Sequence, residues 1–455
     1  MTKFQKQMLT IAAAGALTAV TALPAMAFEH NFNGTFVAKT YLSNIDGNTS
    51  GTSALGLENT KSNNFTDQRT RINYTAKASD DLKLVTQFEM QTWWGVEKAS
   101  YDKADGGGDI DTDGNNLVVK HAYLDFNIGK NLNAKVGQQA YKDKFGGLYV
   151  DADLPMAYVA YKQGAYTLGL GYSRFNDEQT NLTATTYRGN LSSDLYAVEN
   201  TYAINKDTKV GLSYYLNRSD ATTYEKRINT LGLFGQTKMG ALDLSTFVAM
   251  QKGFSHPTAG ADVKYHGWAA NVLAKMKLGN GLARTGFLFT SGNNSGKTTS
   301  NHGWQTLNTT STTSVVAGNA VQNSYNESGM MLLVRNTSMG GTSNDNYLRK
   351  PITNIALLHA GYNANLTEKL YANGNIGMAW LPASDYNYGH TSSGTVNGSD
   401  ILGAEANVEV GYKLYPNLTL KAQAAYVKLG SAYKLANGND PADPYTIRAG
   451  AYYSF

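Results

Sequence analysis

Residues 445–455 alternate between two kinds of position. Apolar or aromatic side chains occupy every second position from Tyr445 to Phe455, with Thr446, Arg448 and Ser454 among the residues between them. A period of two is typical of a β-strand with one apolar and one polar face. The same pattern recurs along almost the whole chain, in segments separated alternately by tight turns and long polar loops. The pattern therefore predicts an all-β protein built from antiparallel hairpins.

The alternating segments number 18, with 16 as the alternative. The clearest, residues 401–414, places Leu402 and Val408 on one face and Glu405 and Glu409 on the other. Segments of about 9–13 residues can cross a bilayer at a tilt of ~45°. An even number of strands returns both ends of the chain to the same side of the membrane.

The polar faces decide between a membrane barrel and a soluble fold. They carry Arg, Lys, Glu, Asn and Gln, and such groups need water or polar partners. A closed barrel of 16 to 18 strands encloses an aqueous lumen. We therefore expect a transmembrane antiparallel β-barrel with short periplasmic turns and long external loops. The alternative is a large soluble β-sandwich or β-helix, in which the apolar faces would pack on a core.

The first 27 residues have the features of a secretory signal. Lys3 and Lys6 precede a mostly apolar stretch over residues 8–23, and Pro24 precedes a small-x-small cleavage site at 25–27. A retained anchor is the less favoured alternative, because the proline and the cleavage site end the apolar run. Residues 28–455 are then one domain, and they contain no run of about 20 apolar residues that would form a helical span.

Composition excludes several kinds of chemistry. The chain has no cysteine, which rules out disulfides, thiolate metal sites, cysteine nucleophiles and covalent c-type haem. The net charge is +4, to which Lys3 and Lys6 of the signal contribute two, so nucleic acid is not an expected partner. The 30 tyrosines suit membrane interfaces, where an apolar ring and a polar hydroxyl are both useful. The mean hydropathy of −0.36 is consistent with a barrel whose loops and inner face are polar.

The chain resembles the bacterial outer-membrane porins over nearly its whole length. A terminal Phe455 preceded by alternating apolar residues is similar to the C-terminal signal of outer-membrane barrels. The run over residues 120–126, followed by 136–139, is similar to a pattern in many large porins. The resemblance implies export through the periplasm to the outer membrane of a Gram-negative bacterium, with membrane lipid around the barrel. It implies passive diffusion of ions and small hydrophilic solutes, no cofactor and a homotrimer.

The resemblance also implies that the third external loop narrows the lumen. That loop is predicted at residues 141–155, and solvated loop charges are the alternative role for its ionic side chains. The candidate constriction residues of this loop are Lys142, Asp143, Lys144, Asp151 and Asp153. A polar segment, 292–350, carries the apolar island 330–334, and we expect it to hold local structure or fold inward. It could narrow the lumen instead, or hide an extra pair of strands.

Alternation identifies candidate residues of the pore wall. They are Arg69, Arg71, Lys77, Lys83, Glu89, Glu405 and Glu409. A basic wall facing loop carboxylates would create a transverse field that orients polar solutes. Glu405 and Glu409 lie ~13 Å apart on an extended strand, too far to act as a carboxylate pair. They are expected to be separate lumen charges balanced by Lys413 and Lys421, with solvated wall residues as the alternative.

Asp109, Asp111 and Asp113 resemble the start of a calcium-binding loop, but Lys120 stands where an EF-hand needs a bidentate glutamate. A loop Ca²⁺ site and a solvated acidic loop tip remain the two interpretations.

The histidines form no catalytic motif, and the tryptophans are better explained by contact with the membrane. The seven histidines are scattered and no hydrolase or nucleotide-binding motif is present, so the sequence predicts that the protein is not an enzyme. The five tryptophans are expected to anchor the barrel at the membrane interfaces, with Trp93 pointing inward as the exception. A sugar-binding row of aromatic rings in the lumen is the alternative.

Two other functions remain open. One is a substrate-selective channel whose lumen binds one class of solute. The other is a scaffold, which would display its loops as an adhesin or sheath a partner such as a multihaem cytochrome. A sheath needs a wide lumen without an occluding loop.

Overall fold

The computed structural model describes residues 28–47, 61–96, 108–110, 117–177, 191–221, 224–293, 299–307, 323–339, 345–383, 400–433 and 440–455. The predicted signal over residues 1–27 lies outside this part of the chain. No helix within it is long and apolar enough to cross a membrane.

The described residues form one closed antiparallel barrel. Its 18 strands are β1 Glu29–Ser43, β2 Asn63–Ser79, β3 Leu82–Trp93, β4 Leu117–Ile128, β5 Leu132–Lys142, β6 Asp151–Gln163, β7 Tyr166–Asp177, β8 Ser192–Ala203, β9 Thr208–Ala221, β10 Tyr224–Met239, β11 Leu242–Pro257, β12 Trp268–Leu278, β13 Gly281–Thr290, β14 Ile355–Asn365, β15 Leu370–Trp380, β16 Ile401–Tyr415, β17 Leu418–Leu429 and β18 Tyr445–Ser454. Two short strands, Val263–Tyr265 and Ser300–Asn301, lie in external loops and pair in parallel.

Each barrel strand pairs with its neighbours in the chain, and β1 also pairs with β18. That pairing runs from Thr35 opposite Ser454 to Ser43 opposite Thr446, so no sheet edge is left open. The predicted count of 18 is confirmed and the alternative of 16 is wrong. The extra pair of barrel strands considered for 292–350 is absent from its described part, because Ser300–Asn301 pairs only with the loop strand.

The alternation of the strands is inverted relative to a soluble protein. On β10, Leu231 and Leu233 are 50% and 58% exposed, whereas Thr230, next to Leu231 on the same strand, is fully buried. Met250 on β11 is 68% exposed next to the buried Gln251. The apolar side chains therefore face outward, where lipid would solvate them, and the polar ones face the lumen.

The core lies inside the barrel and is built largely by loops. Phe145, Leu148 and Tyr149, from the loop between β5 and β6, are fully buried there. Trp304, which the sequence assigned to a membrane interface, is 1% exposed and packs in the same core, where Tyr149 meets its ring edge-on. That assignment was wrong because this segment folds inward.

The third external loop is shorter than predicted. It covers residues 143–150, and β6 begins at Asp151 rather than at 156. Asp151 and Asp153 are therefore strand residues, and Lys142 is the last residue of β5. The sequence missed this because Pro155 lies within the strand, where proline is uncommon.

Candidate functional site

The lumen is narrowed by the long connection between β13 and β14. We call its described residues 323–339 and 345–354 the inner loop. The five residues from Met330 to Val334 are at most 1% exposed and pack against the barrel wall and the loop 143–150. The predicted inward folding is thus confirmed. Burying five such side chains contributes about 1.5–3 kcal/mol each before the entropy cost of ordering the loop.

One wall carboxylate holds this apolar stretch. Glu405 on β16 accepts hydrogen bonds from three successive backbone N–H groups, those of Met331, Leu332 and Leu333, at 2.6–3.1 Å. Asn407 donates to the same carboxylate at 2.6 Å. Glu405 is 2% exposed, so the expected pairing with Lys413 or Lys421 is wrong: backbone donors of the inner loop compensate its charge.

A second contact joins the inner loop to the seam of the barrel. The carboxylate of Asp345 accepts hydrogen bonds from Lys39 Nζ at 3.0 Å and Tyr41 OH at 3.2 Å, and pairs with Arg448 Nη1 at 3.1 Å. Arg448 also pairs with Asp46 at 2.9 Å. Burial raises the pKa of Asp345, but Arg448 and Lys39 outweigh it, so that pKa lies below the usual 3.8.

The loop 143–150 is organised by Asp143, one of the predicted constriction residues. Its carboxylate accepts backbone N–H groups of Phe145, Gly147, Tyr149 and Val150 at 2.5–3.2 Å. Burial raises the pKa of Asp143 to about 6, against the opposing effect of these four donors. Asp143 is 4% exposed, so it shapes the loop rather than facing the solute path.

Sequence reasoning missed a cluster around Glu199 on β8. Tyr141, Tyr158 and Tyr215 each donate a hydroxyl to its carboxylate at 2.8 Å. Lys144, a predicted constriction residue, lies 3.4 Å from the same carboxylate. The available signal was strand alternation, which places Glu199 on the inner face of β8.

Part of the inner wall of β2–β5 stays open to solvent, although Asp67, Gln91 and Gln139 on the same strands are buried. Arg71 Nε donates to Glu89 at 2.5 Å, and Arg69 lies 3.9 Å from the same carboxylate. The side chain of Arg71 is 30% exposed, that of Arg69 is 17% exposed and that of Glu89 is 16% exposed. The structure brings these three predicted wall residues together.

A second shared carboxylate continues this wall. Lys83 and Lys135 lie 3.3 Å and 4.0 Å from Asp125, with side-chain exposures of 44% and 40%. Beneath the inner loop, Glu405, Asn407 and Glu409 are buried, whereas Lys275 on β12 and Glu327 of the inner loop keep side-chain exposures of 30% and 47%. The solvent path therefore reaches β2–β5 and also the Lys275–Glu327 pair.

Other predicted residues lie away from this path. Lys77 pairs with Glu29 and Asp80 at the periplasmic end of β2. Glu409 is 6% exposed and accepts from Tyr371 and Gln423, with Lys421 at 3.5 Å as expected.

The external ends of β5 and β6 hold the remaining constriction candidates. Asp151 pairs with Lys142 at 3.6 Å, and Asp153 pairs with Lys120 at 2.9 Å and His121 at 2.8 Å. Asp153 is exposed on the face of β6 opposite the buried Leu154, whereas Asp151 accepts a hydrogen bond from Ser324 of the inner loop.

The candidate calcium loop falls largely outside the described residues. Asp109 is described, whereas Asp111 and Asp113 are not. In the described part of the chain, no group of three or more His, Asp or Glu side chains could hold a metal ion.

Three aromatic rings form a short row on the inner face. Phe65 stacks on Tyr41 and on Trp93, with centroids 4.4 Å and 4.9 Å apart. Trp93 therefore points inward, as its position in the alternation indicated.

These features define a large transmembrane-type barrel whose lumen is narrowed by inward-folded loops. No protein-family model and no curated protein matches the chain. Solved structures do match. Pseudomonas aeruginosa OccK9 (OpdG) has a TM-score of 0.54 at 14% identity, covering 94% of this chain and 98% of that one. Acinetobacter baumannii OccAB4 has a TM-score of 0.52 at 12% identity, with coverages of 95% and 100%.

A third similar structure is P. aeruginosa OccK2 (OpdF) in complex with glucuronate. Its TM-score is 0.52 at 13% identity, with coverages of 94% and 96%. At such low identity the similarity establishes the fold alone. The chain has the fold of the large outer-membrane porins.

Proposed function

We propose that the protein forms a water-filled channel in the outer membrane of a Gram-negative bacterium, for passive diffusion of ions and small hydrophilic solutes, without a catalytic role. The observation that carries this proposal is the wall of β2–β5. Charged side chains of this wall face the lumen and keep solvent exposure, as does Lys275 on β12, which pairs with Glu327 of the inner loop. Polar groups lining a narrowed lumen favour hydrated solutes.

The charges of this wall favour anions. Arg69 and Arg71 share Glu89, and Lys83 and Lys135 share Asp125, so four cations face two carboxylates. Excess positive charge in a confined aqueous path raises the local concentration of anions.

A substrate-selective channel is the second candidate. One similar structure, OccK2, holds glucuronate, which is a carboxylate. A carboxylate solute would match the guanidinium groups on β2. The sheath for a multihaem cytochrome is disfavoured, because the inner loop occupies space that a partner would need.

Two further partners remain proposals. The homotrimer rests on the resemblance to porins, and light scattering of the detergent-solubilised protein would test it. A loop Ca²⁺ at Asp109, Asp111 and Asp113 would be tested by a calcium-dependent shift in unfolding temperature.

Conductance in a planar lipid bilayer with a salt gradient tests the channel. We expect stable open steps and a reversal potential whose sign reports anion preference. The double variant Arg69→Gln/Arg71→Gln should lower the anion-to-cation permeability ratio about fivefold, because a unit charge ~4 Å from an ion contributes about 1 kcal/mol even in water.

Lys77→Gln is the matched control, since its charge lies at the exposed periplasmic turn. The control should leave the reversal potential unchanged. A folded barrel that gives no conductance would overturn the channel, and an unchanged ratio in the double variant would overturn the anion preference.

A further inference from the structure

A cleft of about 250 Å³ opens on the outer side of the barrel, at the external ends of β12 and β13. Trp268 and Phe289 form its floor, stacked with centroids 4.2 Å apart and planes at 24°. His266 and His302 lie on its rim, with ring centroids 5.5 Å apart. Ser291 also lines it. The channel has no use for this cleft, because the cleft faces away from the lumen.

Aromatic residues fix the depth of the cleft in the membrane. Trp268 is 44% exposed and lies opposite Met250, which belongs to the outward apolar surface. On β7 and β8, Tyr172 and Tyr196 pack together on the same outer face, with centroids 5.3 Å apart. Outward Trp and Tyr side chains mark the level of the lipid headgroups. The cleft therefore opens at the headgroup level on the external side.

A row of cations follows the same rim. Asp194 on β8 lies opposite Arg174 on β7 and opposite Arg218 on β9. Arg218 in turn lies opposite Arg227 on β10. Arg227 lies opposite Phe254 on β11. Each of these arginines shares the outward face of its strand with apolar residues.

The row then reaches the cleft. Phe254 lies opposite Lys264, and Lys264 pairs in parallel with Ser300, two residues before His302. Lys252, also exposed, lies on the outer face of β11 beside this loop. Arg174, Arg218, Arg227, Lys252 and Lys264 thus share the row and loop with five carboxylates, those of Asp177, Asp194, Asp220, Glu225 and Asp262. The row therefore offers oriented N–H donors rather than an excess of positive charge.

Arg218 and Arg227 are opposite each other although like charges in that position are destabilising. Each is held by a carboxylate two residues along its own strand: Asp220 accepts from Arg218 at 2.5 Å, and Glu225 from Arg227 at 2.7 Å. The two side chains remain 42% and 39% exposed. Two oriented guanidinium groups with unused N–H donors suit a tetrahedral phosphate.

We infer that the cleft and the cation row bind a lipid whose headgroup is a phosphorylated sugar. The sugar ring packs on the Trp268–Phe289 floor, and its phosphate meets His266, His302 and Lys264. Phosphates of neighbouring lipids meet Arg218 and Arg227. The exposed N–H donors of the guanidinium groups can bind a phosphate although their charges are paired, and the aromatic floor adds the preference for a sugar.

Binding of bisphosphorylated lipid A to the full-length barrel tests this inference, with bound lipids counted by native mass spectrometry. Two double variants address the two parts of the site: His266→Gln/His302→Gln for the cleft and Arg218→Gln/Arg227→Gln for the row. Each should weaken binding by about tenfold or more, the effect of removing one or two charge-assisted hydrogen bonds. Lys428→Gln is the matched control, because Lys428 is 72% exposed at the same end of β17.

Dephosphorylated lipid A should bind poorly, and inorganic phosphate at the same concentration should not displace lipid A. Equal binding by either double variant, equal binding of the dephosphorylated lipid, or full displacement by inorganic phosphate would each overturn the inference. If the arginine variant does not fold, the histidine variant decides alone. Both variants should keep wild-type conductance, so a failure of the channel proposal would be seen separately.

Discussion

Three buried carboxylates hold loops inside the barrel, and each is compensated in its own way. Asp143 and Glu405 accept backbone N–H groups, whereas Asp345 is compensated by Arg448 and Lys39. Backbone dipoles compensate a buried charge less completely than a cation does, so burial raises the pKa of Asp143 in its loop, whereas the pKa of Asp345 is lowered. This difference predicts different responses of the protein to pH.

Asp143 should make stability fall between about pH 4 and pH 6. Its pKa rises from 3.8 to about 6 on folding, so in this window the folded protein binds more protons than the unfolded chain. Its contribution is largest at low pH and falls by about 3 kcal/mol as the pH rises through the window. Urea unfolding of wild type and Asp143→Asn across this range measures it. Parallel curves for the two proteins would contradict the prediction.

Asp345 should show the opposite sign. Its pKa in the folded protein lies below 3.8, so its contribution is present above that pH and is lost as the pH falls further. Asp345→Asn leaves the buried Lys39 without its carboxylate and should destabilise the protein by about 3 kcal/mol at neutral pH. Unfolding free energies measure this loss.

Asp443→Asn is the control for Asp345, because Asp443 pairs with the exposed Lys428 and should cost less than about 1 kcal/mol. Equal losses in the two variants would show that the buried pairing has no special weight.

Glu405→Gln should raise single-channel conductance. The amide keeps one acceptor oxygen and turns an NH₂ group toward the N–H donors of residues 331–333, which costs about 1–3 kcal/mol per unsatisfied donor. The inner loop is then held less firmly over the lumen. Glu409→Gln is the control, since its carboxylate binds wall side chains. Wild-type conductance in Glu405→Gln would argue against the inner loop as the constriction.

At the scale of elements, alternation gave the strands and their faces, because the side-chain period of a strand is local. Lys83 was predicted to point inward, and it pairs with Asp125 across β3 and β4. Loop ends were less predictable. The segment 151–155 contains a proline and two aspartates, a composition typical of a loop. Its residues nevertheless pair with residues 138–142 of β5 as part of β6.

The partners of the inner loop could not be predicted for a different reason. Glu405 binds backbone N–H groups, which carry no sequence signature, and they come from residues more than 70 positions away. The apolar island 330–334 was the one local signal. It indicated burial somewhere, but not which wall the island would meet.

Asp151→Asn/Asp153→Asn should leave the reversal potential of the channel unchanged. Asp153 lies on the face of β6 opposite Leu154, and Asp151 is held by Lys142 and by Ser324 of the inner loop. The charges of both carboxylates are paired at the external end, by Lys142 and Lys120. Arg69→Gln/Arg71→Gln provides the positive comparison in the same salt gradient. A shift in the aspartate variant as large as in the arginine variant would restore the constriction first predicted for residues 141–155.

At the scale of the whole molecule, the barrel depends on the seam where its two ends meet. Gly34 and the terminal Phe455 exchange both backbone hydrogen bonds, at 2.9 Å and 3.1 Å. A Cβ on Gly34 would lie 2.6 Å from the ring of Phe455 and would collide with the carbonyl of Arg71. The absence of a side chain at position 34 therefore lets the last residue close the ring, which no pairing between neighbouring hairpins can do.

Gly34→Val should disrupt closure, because the carbonyl of Arg71 on β2 cannot move without breaking a strand pair and the ring of Phe455 would have to rotate away. We expect a destabilisation of about 1–3 kcal/mol, typical of overpacking, and a smaller folded fraction by heat-modifiable electrophoresis. Gly374→Val is the control, since a Cβ at that strand glycine meets no atom within 4 Å. Equal folded fractions in the two variants would mean that the seam tolerates the added methyl groups and that closure does not depend on this contact.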